Sequence, residues 1–227
     1  MSSFVLKIIA IISMLSDHAG YIITGKISFF NCIGRLAFPI FAFQISEGYT
    51  HTKNLKKYFI RLLVFAVISQ IPFMLFLSIL TDKFLLNIFF TLALGLLAIL
   101  VFDKCKYKII GIFAVGLIAY IANIIKVDYG AFGVLIIACF YIFKDSKVLM
   151  TLSYLILVFY EYYDYFFDGF RFHIKDYRYL VLTFSTMIAI IPILLYNKKQ
   201  GKKVKYFIYA FYPVHLILIY LINTFLL

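Results

Sequence analysis

Lys7 and His18 stand eleven positions apart in the first apolar stretch of the chain. On a helix, eleven steps of about 100° return a side chain to nearly the same face, so the two share one stripe. At a rise of about 1.5 Å per residue they are about 16 Å apart along the axis, Lys7 near one membrane surface and His18 past mid-depth. An ammonium holds anions, and an imidazole takes up and releases protons near neutral pH. Ionisable groups inside a bilayer are costly unless they meet a partner or line a wet cavity, so Asp17 and His18 read as functional.

The elements that must position them are transmembrane helices. Of 227 residues, 65% are hydrophobic, too many for a soluble domain to hide from water. Apolar runs lie near Phe4–Thr24, Phe29–Tyr49, Tyr58–Leu80, Phe84–Phe102, Ile109–Ile125, Ala131–Phe143, Val148–Tyr160, Tyr179–Tyr196 and Tyr206–Leu227. The pattern predicts an all-α, polytopic integral membrane bundle of about nine transmembrane helices, within a range of about eight to ten. It is one membrane domain spanning residues 1–227, since the longest polar-rich segment, Glu161 to Arg178, is too short to own a core. No cleavable signal peptide is visible, because Met1 to Leu6 lacks a basic region and the first span carries Asp17 and His18. Cys32, Cys105 and Cys139 have neither disulfide-framework nor metal-ligand spacing and read as packing residues, so no metal is expected.

The net charge of +12 would suggest nucleic acid in a soluble protein, but its distribution here tracks the loops. With a cytoplasmic N-terminus, nine crossings put Lys7, Lys53, Lys56, Lys57, Arg61, Lys104, Lys106, Lys108, Lys144, Lys147 and the 198–205 cluster inside. Lys26, Lys83, Lys126, Arg171, Lys175 and Arg178 fall outside, balanced by Asp82, Asp128, Glu161, Asp164, Asp168 and Asp176. The expected location is the cell's inner (plasma) membrane, with the lipid bilayer as partner and no nucleic acid.

Other polar residues fall within or beside the spans. Arg35, in the outer half of the second span, shares the depth of Asp17 and His18. Glu47 and His51 lie four apart near its cytoplasmic end. Asn87 enters from the outer end of the fourth span, and Asp128 with Tyr129 stands where the sixth begins. His215 lies near the middle of the last span, one turn from Tyr212, with Pro213 between them to free a backbone carbonyl. Each group also has a structural reading: Asp17 with Arg35 as an ion pair, His18 and His215 bonded to carbonyls, Glu47 and His51 at the headgroups, and Lys7 snorkelling. The aromatic run from Tyr160 to Phe172 reads as an interfacial belt.

Together, the run from Lys7 to Asp17-His18, the segment Ile33-Gly-Arg35-Leu-Ala-Phe-Pro39 with Glu47-Gly-Tyr-Thr-His51, the triplet Asp128-Tyr129-Gly130 and the segment Phe211-Tyr-Pro213-Val-His215 resemble the TraX family. The resemblance covers nearly the whole chain. The founding member of that family is associated with acetylation of the N-terminus of conjugative pilin. The family looks like a compact branch of the acyltransferase-3 membrane superfamily, whose hallmark is a basic residue, ten intervening residues and a histidine in the first span. Lys7 stands where arginine is usual, so a forked contact becomes a point-charge contact.

The resemblance implies acyl transfer from cytoplasmic acyl-CoA, acetyl-CoA in the first instance, to an amine or hydroxyl of a peptide, glycan or lipid acceptor. No bound cofactor is implied. Such a transfer needs a base, donors for the oxyanion and a site for the carrier. His18 is then the base or transient acyl acceptor, with Asp17 or Asp128 fixing its tautomer and His215 in reserve. Arg35, Asn87, Tyr129 and Tyr212 become oxyanion or acceptor contacts. Lys7, Glu47, His51, Lys53, Lys56 and Lys57 fall at the carrier's mouth, the lysines holding its phosphates. The competing reading is a multi-span transporter using buried Asp, His and Arg as a relay, and a third is a noncatalytic scaffold.

Overall fold

The computed structural model describes residues 1–24, 27–168, 171–172, 177–202 and 205–226. In chain order its helices are α1 (Ser3–Thr24), α2 (Phe29–Gly34), α3 (Ala37–His51), α4 (Leu55–Ser78), α5 (Ile88–Lys104), α6 (Lys108–Ile124), α7 (Gly130–Ile142), α8 (Lys147–Phe166), α9 (Tyr177–Ile188), α10 (Ile190–Leu194) and α11 (Lys205–Leu226). After α8, the two-residue strands β1 (Phe167–Asp168) and β2 (Arg171–Phe172) pair antiparallel.

Among the described residues, five helical stretches are long and apolar enough to cross a membrane: Ser3–Thr24, Phe29–His51, Leu55–Ser78, Tyr177–Leu194 and Phe207–Phe225. The architecture fits a membrane helical bundle but corrects the expected count of about nine. Helices α5 and α6 have 17 residues each and α7 has 13. At about 1.5 Å per residue these reach about 20–25 Å, against a hydrocarbon core of about 30 Å. Helix α8 has 20 residues but carries Lys147, Glu161 and Asp164. The assignment of loops to the two sides rested on nine crossings and loses that premise. Of the charges it used, Lys26, Lys175, Asp176 and Lys203 lie outside the described residues.

The chain forms two compact units, Met1–Phe41 with Asp145–Val204, and Ala42–Lys144 with Lys205–Leu227. In the first unit α1 packs on α2, α2 touches α9, and α8 packs on α9 and α10. A helix start leaves backbone N–H groups without intrahelical acceptors. Here Ser3 and Phe4 N–H donate to the carbonyls of Lys199 (2.8 Å) and Gln200 (3.1 Å), and the Met1 ammonium donates to the Leu195 carbonyl. The segment after α10 thus pins the start of α1, and with it Lys7. Gly201 permits this approach: it sits at φ +70°, and a β-carbon there would press on Phe4 and Ser2 at 2.8 Å. Tyr154, fully buried on α8, donates to the Thr186 carbonyl of α9 at 2.5 Å.

In the second unit α5, α6 and α7 pack on one another, α4 packs on α5 and α11, and a core of small residues includes Ala98, Val115, Ala119 and Ala138. At one end, the Asp103 carboxylate accepts from the Tyr141 hydroxyl (2.6 Å) and the Tyr49 hydroxyl (2.7 Å), tying α5 to α7 and α3. These two donors hold the Asp103 carboxyl below its usual range, burial opposing them. A depressed folded-state value stabilises the fold above the unfolded value of about 3.9, and that contribution disappears as pH falls through the lower one. Thermal unfolding of the wild type should therefore lose this contribution only in acid. Asp103→Asn should be less stable at pH 7 and converge on the wild type as pH drops. Equal unfolding temperatures at pH 7 would contradict the tie.

Candidate functional site

The first unit is organised around Asp17. Arg35, the residue that ends α2, donates from Nη2 to both Asp17 carboxylate oxygens at 2.7 Å each. The Arg35 and Asp17 side chains are only 16% and 12% exposed. Asn31 completes the arrangement: fully buried, it donates from Nδ2 to the Asp17 carbonyl (3.0 Å) and to Asp17 Oδ1 (3.2 Å). Its own Oδ1 accepts from the Ser28 N–H and hydroxyl, both at 2.9 Å. The sequence explains the geometry. Ser28 and Asn31 form a reciprocal cap at the start of α2, and Asn31 and Arg35, four apart, share one face. Glycine lets the two helices meet, since a β-carbon at Gly34 would overlap Asp17 and one at Gly20 would lie 2.7 Å from Phe30 Cβ.

Lys7 and His18 are both half-buried on α1. Their stripe, with buried Ile11 and Met14 between them, runs beside the packed line of Leu6, Ala10, Asp17 and Gly20. The exposed line of Val5, Ile12 and Ile23 is elsewhere on the helix. The pair therefore occupies the flank of α1 and not its outer face. His18 lies within electrostatic reach of Arg35. The Asp17 carboxylate, expected as a partner for His18 or for Arg35, serves Arg35 and Asn31.

The remaining expected residues belong to the second unit. Asn87 is fully buried and caps α5, its side chain accepting from Phe89 N–H at 3.0 Å. Its amide donates to the Ala66 carbonyl (2.7 Å) and Gln70 Oε1 (2.9 Å). Both amide hydrogens are engaged in locking α4 to α5, which leaves none for an oxyanion and gives Asn87 a structural task. Asp128 closes a short parallel bridge, its N–H donating to the Leu86 carbonyl at 2.7 Å and its carbonyl accepting from the Thr91 hydroxyl. Tyr129 follows at φ +62° and Gly130 at φ +45°, a left-handed turn that starts α7. Tyr212 is buried, its ring edge-on to those of Phe89 at 5.3 Å and His215 at 5.7 Å, and it lies within electrostatic reach of Asp128 and Tyr129.

His215 is buried, stacks on Phe211 at 4.9 Å and lies 2.8 Å through Nδ1 from the Phe211 carbonyl. A carbonyl only accepts, so Nδ1 carries the proton and Nε2 is the basic nitrogen. His51 Nδ1 likewise donates to the Glu47 carbonyl at 2.9 Å, and its side chain is 63% exposed. Lys53, Lys56 and Lys57 are exposed around Asn54, which caps α4 by accepting from Lys57 N–H at 2.8 Å. Arg61, one turn further, lies 5.2 Å from the Tyr58 ring and 5.3 Å from that of Tyr209.

Asn31, which bonds Asp17 in the candidate site, is a residue that sequence reasoning missed. Its signal was there: Ser28 three before it marks a helix start, and Arg35 four after it marks the face.

Known proteins similar to this chain point to the family that its motifs resemble. The family model described as TraX protein matches residues 2–223. The chain is 31% identical over 245 residues, covering 96% of this chain and 94% of the relative, to the probable fimbrial assembly protein FimC, serogroup H1, of Dichelobacter nodosus. No solved structure matches.

Proposed function

The chain belongs to the TraX family, and from that premise we propose that it is a membrane-embedded acyltransferase, moving an acetyl or other acyl group from cytoplasmic acyl-CoA to an envelope acceptor. The observation that carries the proposal is the flank of α1: a half-buried ammonium and a half-buried imidazole on one stripe, beside an ion pair held by Asn31. Lys7 supplies a point charge for a phosphate of the carrier at one end. His18 takes the proton of the attacking amine or hydroxyl at the other. The Asp17–Arg35 pair fixes α2 against α1 and sets a positive charge near the imidazole, where the acyl oxygen gains negative charge in the transition state. The acceptor is a pilin-like peptide amine, a glycan hydroxyl or a lipid headgroup, and the N-terminus is cytoplasmic in the inner membrane.

The roles of Lys7 and His18 are separable. Losing a charge-assisted contact to a phosphate removes about 1.5–3 kcal/mol, so Lys7→Glu should raise KM for acetyl-CoA about 10–100-fold while leaving kcat near the wild-type value. Lys7→Arg should retain donor affinity. The measurement is initial-rate acetyl transfer by protein reconstituted in lipid vesicles. A Lys7→Glu protein with unchanged KM would refute the donor-binding role.

A further inference from the structure

An acyl transfer also needs a donor for the developing oxyanion. Asn87 has both amide hydrogens engaged, and Arg35, whose Nη2 serves Asp17, contributes its positive charge. Tyr21 supplies a donor. It follows His18 by three positions and Asp17 by four, so on α1 it is a surface neighbour of both. Side chains of a helix lean toward its N-terminus, which carries the Tyr21 ring back over the turn that holds Asp17 and His18. In the structure Tyr21 is half-buried and within electrostatic reach of Arg35, Asp17, Tyr162 and Tyr179. Those last two come from α8 and α9. Tyr165 stacks on Tyr179 at 4.0 Å, and the Tyr162 hydroxyl is 3.3 Å from that of Thr186, so the phenols on this side of Tyr21 are themselves held.

We propose that Tyr21 donates its phenolic O–H to the oxyanion formed when the acceptor attacks the acyl thioester beside His18. The assignment rests on the acyltransferase reading. His18 accepts the proton from the acceptor's N–H or O–H as the acceptor's lone pair bonds to the thioester carbon, and the carbonyl π pair moves onto oxygen, where the Tyr21 hydroxyl meets it. The C–O double bond then re-forms, the C–S bond breaks, and the thiolate takes the proton from His18. The products are acylated acceptor and free CoA thiol, with Tyr21 and His18 regenerated.

The test is steady-state acetyl transfer by reconstituted wild type, His18→Ala, Tyr21→Phe and Tyr21→3-fluorotyrosine, with thermal unfolding of each. Tyr21→Phe keeps the ring and removes only the donor, so kcat should fall about 10²–10³-fold with the KM for acetyl-CoA unchanged. The fluorinated phenol has nearly the same shape and greater acidity, so it should change kcat and shift its pH profile without altering stability. That readout stands even if Tyr21→Phe folds poorly, because a packing role would not move it. Wild-type kcat in both Tyr21 variants, or an effect confined to KM, overturns the assignment while His18→Ala remains inactive. Absence of acetyl transfer by the wild type overturns the acyltransferase reading and this assignment together.

Discussion

Arg35→Leu will destabilise the protein by about 3–5 kcal/mol, because it strands the Asp17 carboxylate in a site 12% exposed. The ion pair's attraction is offset by the desolvation of two charges, so the pair as a whole contributes little; removing one member is what costs. Asn31 cannot compensate, since one amide donor at 3.2 Å does not replace a guanidinium at 2.7 Å on both oxygens. The double variant Asp17→Leu/Arg35→Leu removes both charges and should recover most of the loss. For a chain of this size the single variant's unfolding temperature should drop by about 6–20 °C, and the double variant's by much less. Equal losses in the single and double variants would mean that Asp17 is not a buried charge dependent on Arg35.

His18→Ala will lower acyl transfer about 10²–10⁴-fold, the usual contribution of a positioned general base. The same substitution should leave the fold intact, since His18 is half-buried on the flank of α1 and the buried line of Leu6, Ala10, Asp17 and Gly20 is untouched. The two variants fail differently. Arg35→Leu loses activity with stability, whereas His18→Ala loses activity alone. If His18→Ala retained wild-type turnover, the base would lie elsewhere, and His215, whose Nδ1 proton is fixed by the Phe211 carbonyl, would be the next imidazole to substitute.

The helical, membrane-type character of the chain was legible because hydrophobicity and helical period act locally. The stripe of Lys7 and His18 follows from 3.6 residues per turn alone. The number of crossings was not legible. Apolar runs identify α5, α6 and α7, but their lengths of 17, 17 and 13 residues are set by where Asn87, Tyr107 and Tyr129 start the helices and where Cys105, Ile125 and Phe143 end them. Polar side chains were harder still. Asp17 and Arg35 are 18 positions apart, and the sequence left open whether Asp17 would serve Arg35 or His18. Asn31 decides the geometry by bonding two groups of Asp17 at once, a contact that depends on the close approach of α1 and α2 at Gly20 and Gly34. Asn87 illustrates the opposite error. A polar residue beside a span suggests chemistry, yet its amide oxygen caps a helix start and two neighbouring carbonyl-type oxygens take both its amide hydrogens.

The most direct test of acyl transfer at His18 is a dual-label experiment on the reconstituted protein, with one isotope in the acetyl group of acetyl-CoA and a second in the CoA moiety. The account predicts that the labels separate: acetyl appears on an added peptide or glycan acceptor while one free CoA thiol is released per acetyl transferred, and His18→Ala abolishes both. Labels that stay together and cross the membrane unchanged, or separation that proceeds equally in His18→Ala, would contradict it.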